Sequence, residues 1–236
     1  MSTARRPYRE VSVQAVPGEN AYTVLLDANP LTTPAGRKFL LPTRALAEAV
    51  EQEWRDQEGK PRAQIGLLTK LCNTAFDRVR ENRDVFIEQM LSFAGADLVC
   101  YRADAPADLV QRQGLAWNPL LQWLQDRYGV ELWTVSEIAF VQQSPDALAR
   151  LQSTIAERDD FTLVGLSATA ALTGSLVIAV ALIDGRLDVE EAFAAARVDE
   201  IYQEQRWGKD DEATAKSGAK RRELSEISRF IELLRQ

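Results

Sequence analysis

The chain has 236 residues, 46% of them apolar, with 35 acidic and 28 basic side chains and a net charge of −7. That apolar content fills one large domain or two unequal ones, and the negative balance gives no electrostatic support to binding nucleic acid or an anionic membrane. There is no histidine, which removes the commonest general base, the Ser-His and Cys-His nucleophile pairs and most zinc sites.

In chain order, strand signals come first. Tyr8–Val16 and Ala21–Leu26 flank the turn Pro17-Gly18-Glu19-Asn20 and read as a hairpin. A turn at Asp27–Pro30 and short strands at Leu31–Thr33 and Lys38–Leu41 extend it into a small antiparallel sheet, which needs something packed on it. Thr43 is the expected N-cap of a helix running to Gln57, and Gly59-Lys60-Pro61 marks a boundary between residues 1–59 and 60–236.

Beyond it the periodicity is helical. Leu67 to Val79 and Val85 to Leu98 form two amphipathic stripes, and Asp108–Arg112 reads as a short helix. Asn118-Pro119 reads as the start of the next, closed by Gly129. Leu132–Gln142 is ambiguous between connector and helix, and Ser144-Pro145 opens a helix to Arg158. The run Phe161–Ile183 carries no charge. Its five Ser or Thr, two Gly and acidic flanks argue against a membrane anchor, so it reads as one central buried helix, with Ser167, Ala170, Ala171, Gly174 and Ser175 as a small face. A further helix is expected from Asp188 to Trp207. On its wheel Glu200 falls among Val189, Ala192, Phe193, Ala196 and Trp207, a position that must be paired inside or offered to a partner. The tail is polar to Gly218, after which Leu224, Ile227, Ile231 and Leu234 recur at helical spacing; it docks or stays mobile. Its cluster Lys216, Lys220, Arg221 and Arg222 is a solvated stretch or seeks an acidic partner.

The expected architecture is therefore α+β: a small N-terminal antiparallel β domain packed on a larger all-helical C-terminal domain with a central buried apolar helix. No Walker loop, GxGxxG, HExxH or GxSxG occurs, and Cys72 and Cys100 have no metal spacing and read as buried free thiols. The chain thus reads as no enzyme, with no cofactor and no metal. The five tryptophans suit core packing, and tryptophan is also a favoured anchor of protein interfaces.

The segments PLTTPAGRKFLLPTRALAEAVEQEW, LCNTAFDRV, DLVCYRAD, WNPLLQWLQDRYG, TGSLVIAVAL and DEIYQEQRWG, in that order, resemble the ATP synthase assembly chaperones that act on the alpha subunit of the catalytic F-one sector. The resemblance runs from Tyr8 to Gly208. It implies a chaperone that binds free alpha subunit, prevents its aggregation and promotes assembly of the catalytic head. The charge balance and the acidic flanks of the uncharged run add no nucleic acid and no stable membrane insertion, and a monomer is expected. Mitochondrial members carry a presequence that this chain lacks, so a bacterial, cytoplasmic member is expected. Residue by residue it points to Trp54, Asp199, Glu200, Gln203, Trp207 and Gly208 as partner-facing, with Glu204 a further acid on the same helix. The alternative from the residues alone is a small-molecule binding protein or enzyme using the Asp199 and Glu200 carboxylates.

Overall fold

The computed structural model describes residues 8–56, 65–136, 142–208 and 210–236. Two compact units result. One comprises residues 1–83 with Arg229–Gln236, the other Asp84–Ser228. The sequence boundary at Gly59-Lys60-Pro61 lies outside the described residues.

The first unit holds a three-stranded antiparallel sheet of order β1-β2-β3, from β1 (Val11–Ala15), β2 (Tyr22–Leu26) and β3 (Asn29–Pro30). Pairing of Val11 with Leu26 and Ala15 with Tyr22 fixes the hairpin register. Asp27 takes a left-handed φ of 56° at the second turn, and its carboxylate accepts the Arg9 and Glu10 N–H groups at 2.9 and 3.0 Å. The expected strands at Leu31–Thr33 and Lys38–Leu41 reduce to single bridges, Thr32 to Lys38 and Tyr22 to Leu41. Two turns within ten residues leave no room for a longer ladder.

Helix α1 (Arg44–Arg55) begins as expected, with Thr43 Oγ1 accepting from Leu46 N at 3.2 Å. Helix α2 (Leu67–Thr74) runs on into a π-helical turn, Ala75–Val79. Glu53 caps α2 from α1: its carboxylate accepts from Leu68 N, Thr69 N and the Thr69 hydroxyl at 2.8 to 2.9 Å. Neighbouring Trp54 donates its indole N–H to the same Thr69 hydroxyl at 3.2 Å and packs 5.8 Å from the Tyr8 ring. Val24, Phe39, Leu41, Leu46, Val50, Leu68, Cys72 and Phe76 are buried.

The second unit is helical: α3 (Arg83–Gly95), α4 (Ala107–Tyr128), α5 (Pro145–Ala156), α6 (Asp160–Thr173), α7 (Leu176–Ile183), α8 (Val189–Ala195), α9 (Val198–Trp207) and α10 (Asp211–Leu233). Helix α3 starts one residue before the unit boundary, and α10 continues past Ser228 into the residues grouped with the first unit. Four expectations are corrected. Asn118-Pro119 does not start a helix; Pro119 lies inside α4. A proline removes one hydrogen bond, to the carbonyl four residues back, and here that residue is Leu115, 73% exposed, on the solvent side.

The uncharged run is two helices and not one. Gly174 adopts φ 72° and ends α6, and Ser175 caps α7 by accepting from Ile178 N at 3.0 Å. Every residue of α7 is buried. Among the described residues no helix is long and apolar enough to cross a membrane. The small face is not a packed stripe either: Ala170 is buried and Ala171 exposed, and a Cβ on Gly174 would meet nothing nearer than Leu98 Cβ at 4.0 Å. Gly174 is required for its backbone angle. Gly174→Ala and Gly174→Leu should therefore lose similar stability, about 1–2 kcal/mol from the left-handed conformation. A chemical denaturation series in which only the leucine variant is destabilised would restore the packing account.

The helix expected from Asp188 to Trp207 is likewise divided. Asp188 and Glu191 form a capping box at the start of α8, and the chain breaks at Ala196-Arg197, where Arg197 has φ −131°. The tail docks: Leu224, Ile227, Phe230 and Ile231 of α10 are buried. Both cysteines are buried and free, and burial pushes the Cys100 thiol up to about 12, which leaves it inert at neutral pH.

Candidate functional site

The break at Arg197 frees α9 from the direction of α8, so its rotation about its own axis is set by side chains. Four contacts tie it to α4 or reinforce that tie. Gln113 Nε2 donates to Asp199 Oδ1 at 2.7 Å, and the Tyr202 hydroxyl donates to Asp108 Oδ1 at 3.0 Å. Arg112 Nη1 donates to Gln205 Oε1 at 2.6 Å with its guanidinium 5.3 Å from the Tyr202 ring, and Arg206 Nη1 donates to the Tyr202 hydroxyl at 2.8 Å. Asp199, Tyr202, Gln205 and Arg206 therefore form the α4 side of the helix.

At 100° per residue Glu200, Gln203, Glu204 and Trp207 fall together on another side. They line a cleft of 440 Å³ with Arg197, Gly208, Asp210 and, from α10, Ala213, Lys216, Ser217 and Lys220. Gly208 closes α9 with φ 94° and ψ 168°, a conformation essentially confined to glycine. An adjoining cleft of 260 Å³ is lined by Leu98, Thr173, Gly174, Phe193, Ala196 and Leu224. Arg197, Glu200 and Lys220 line both clefts.

Five of the seven sequence-chosen residues are thus brought together: Glu200, Gln203, Glu204, Trp207 and Gly208. Two are not. Asp199 points back to α4, and Trp54 belongs to the other compact unit, holding α2. The wheel that placed Glu200 among Val189 and Phe193 is interrupted at the Arg197 break, yet Glu200 still lines one cleft with Phe193 and Ala196, where it is exposed. Glu204 is ion-paired with Arg197, whose guanidinium lies 5.3 Å over the Phe193 ring. The Glu200 carboxylate has no hydrogen bond or ion pair with any described residue, and Trp207 is 72% exposed. Asp199 and Glu200 diverge, one bonded to Gln113 and the other at the clefts, so they form no acid/base pair. Ala213 and Lys220 reach the cleft only through the return of α10 beside α9, and Arg197 only through the break before α9, none of which the sequence pattern showed. Of the basic cluster, Lys216 pairs with Glu212 and Arg221 pairs bidentately with Glu190. Among the described residues no group of three or more His, Cys, Asp or Glu is placed to hold a metal ion.

Residues 5–125 match the profile of the ATP12 chaperone protein family. The chain belongs to the ATP12 chaperone family. This is the family of ATP synthase assembly chaperones that the six segments resemble, and its α+β architecture is the one found here. The crystal structure of Atp12 from Paracoccus denitrificans is 35% identical with a TM-score of 0.89, covering 98% of both chains. The Atu1473 protein from Agrobacterium tumefaciens is 33% identical with a TM-score of 0.89, covering 98% of this chain and 85% of that one. The mitochondrial Atp12 protein of Schizosaccharomyces pombe is 22% identical over 221 residues, 89% of this chain and 75% of that protein. The chain is a bacterial-type ATP12 chaperone, nearer in identity to these two bacterial proteins than to the fission-yeast one. The profile stops inside α4, whereas the whole-chain likeness extends over α9 and α10.

Proposed function

We propose that this chaperone binds the free alpha subunit of ATP synthase, keeps it from aggregating and delivers it to the assembling catalytic head, using the α9 face. The observation that carries the reading is the exposed Trp207 indole beside the unpaired Glu200 carboxylate on one side of a clamped helix. An aromatic anchor next to an unpaired acid suits a basic, apolar-centred patch: the indole buries apolar area and offers its face to a cation, while the carboxylate pairs with that cation. Membership of the family supports the chaperone role, and the resemblance of the sequence segments supports alpha as client. The remaining sequence-based expectations, a cytoplasmic monomer without catalytic activity, belong to the same proposal.

Purified chain should capture alpha and not beta when offered each separately. Glu200→Lys should abolish protection of alpha from aggregation while the melting temperature stays nearly unchanged, because an exposed unpaired side chain contributes within about 0.5 kcal/mol to stability. Trp207→Ala should behave alike. A folded Glu200→Lys variant that still protects alpha would sink the proposal.

A further inference from the structure

We propose that Gln113 is the positioning residue of the α9 face, and that Asp199 serves the client through Gln113 without touching it. The inference rests on the α9 face being the client-binding surface. Gln113 is 2% exposed and its amide is bonded at both ends: Nε2 donates to Asp199 Oδ1 at 2.7 Å, and Oε1 accepts from Ala103 N at 2.8 Å. Its own carbonyl accepts from Arg102 Nη1 at 3.1 Å, and that guanidinium lies 5.0 Å from the Trp117 ring. The amide is therefore held from behind and cannot turn to follow α9; α9 must register to it.

The bond falls in the first turn of α9, directly after the break at Arg197, where no continuous helix fixes the rotation. The other side-chain bonds to α4, from Asp108 and Arg112, involve exposed residues of α4, which water competes for. The Gln113–Asp199 bond is part-buried and its donor is a buried α4 side chain, which makes it the stronger constraint. A slip of one residue would turn α9 by 100° and move Glu200 and Trp207 away from their common outward side. Asp199, the acid next to Glu200 in the segment DEIYQEQRWG, thus lies about 100° round the helix from it and acts by setting where Glu200 points.

Gln113→Glu sets two carboxylates against each other, while adding Asp199→Asn restores the bond with its donor and acceptor exchanged and the net charge of the native protein. Affinity for alpha is measured on the full chain at a temperature where circular dichroism shows every variant folded. Ile155→Val, a buried core truncation on α5, serves as a control that lowers stability without touching this bond. Gln113→Glu should weaken alpha binding roughly tenfold, Gln113→Glu/Asp199→Asn should recover to within about threefold of the native chain, and Ile155→Val should bind as the native chain does. A folded Gln113→Glu variant that binds normally, or a double variant no better than the single one, overturns the positioning role. Normal binding by Glu200→Lys, measured in the same series, overturns the assignment of the face itself.

Discussion

Asp97→Ala is expected to cost on the order of 3–6 kcal/mol, enough to unfold a domain of ordinary stability. Asp97 is fully buried between α3 and the 3₁₀ turn Leu98–Cys100, and its carboxylate collects three backbone donors. One oxygen accepts from Val99 N at 3.2 Å, the other from Leu176 N and Val177 N at 2.8 and 3.1 Å. The last two are the free N–H groups at the start of α7, so the side chain both satisfies that helix end and places negative charge at its positive pole. Alanine would leave three buried donors without acceptors, each costing about 1–3 kcal/mol, offset in part because no carboxylate then has to be desolvated. Urea denaturation checks this, and a loss under about 1 kcal/mol would show that the segment relaxes to reach water.

The same residue gives a pH signature. Burial pushes the Asp97 carboxyl up from 3.8 to about 6, against the downward pull of hydrogen bonds from Ser175 and the Val177, Val99 and Leu176 N–H groups. A carboxyl raised on folding contributes stability that is complete below its unfolded value and is lost as pH rises through the folded value. Native chain should therefore gain about 2–3 kcal/mol relative to Asp97→Asn as pH falls from 7 to 4. The other carboxylates are common to both proteins and cancel in the difference. A pH-independent difference would mean that Asp97 titrates normally.

Trp117→Ala should cost about 3–5 kcal/mol, the usual range for deleting a buried aromatic. The ring is 0% exposed, packs under the Arg102 guanidinium, and donates Nε1–H to the Ala195 carbonyl at 2.7 Å. That carbonyl ends α8 just before the chain breaks toward α9, so the loss should reach the candidate face as well as the core. Trp117→Phe keeps most of the volume and loses the donor; about 1–2 kcal/mol is expected for it. Equal losses for both variants would assign the whole effect to the hydrogen bond.

Features with a local cause were legible in the residues. Thr43 caps α1, Gly129 ends α4 with φ 64°, and the Pro17–Asn20 turn sets the hairpin, because each needs only its near neighbours to satisfy backbone groups. Wheel arguments failed where a helix did not continue. Thr173-Gly174-Ser175 held a readable stop, a C-terminal glycine followed by a serine cap, but the uncharged run on both sides preserved the periodicity across it. Ala196-Arg197 offered neither glycine nor proline, and its break is stabilised by contacts with α4 that lie some eighty residues away in sequence. Neither Gln113 nor Asp97 carried a signal of its structural role: a Gln in a helix and an Asp before a turn become informative only when their distant acceptors and donors are in place.

The sequence by itself determined the alternation of elements, the small sheet ahead of a helical body, and the periodicity within α9 that gathers Glu200, Gln203, Glu204 and Trp207, since a 3.6-residue repeat follows from backbone geometry alone. Only the tertiary structure decided which way that gathered face points. Asp199 and Glu200 are adjacent and chemically alike, and nothing in the chain distinguishes them. The burial of Gln113, fixed by Ala103 and Arg102, draws one carboxylate inward and leaves the other in the clefts, because a buried amide must be satisfied by whichever partner the packing brings to it.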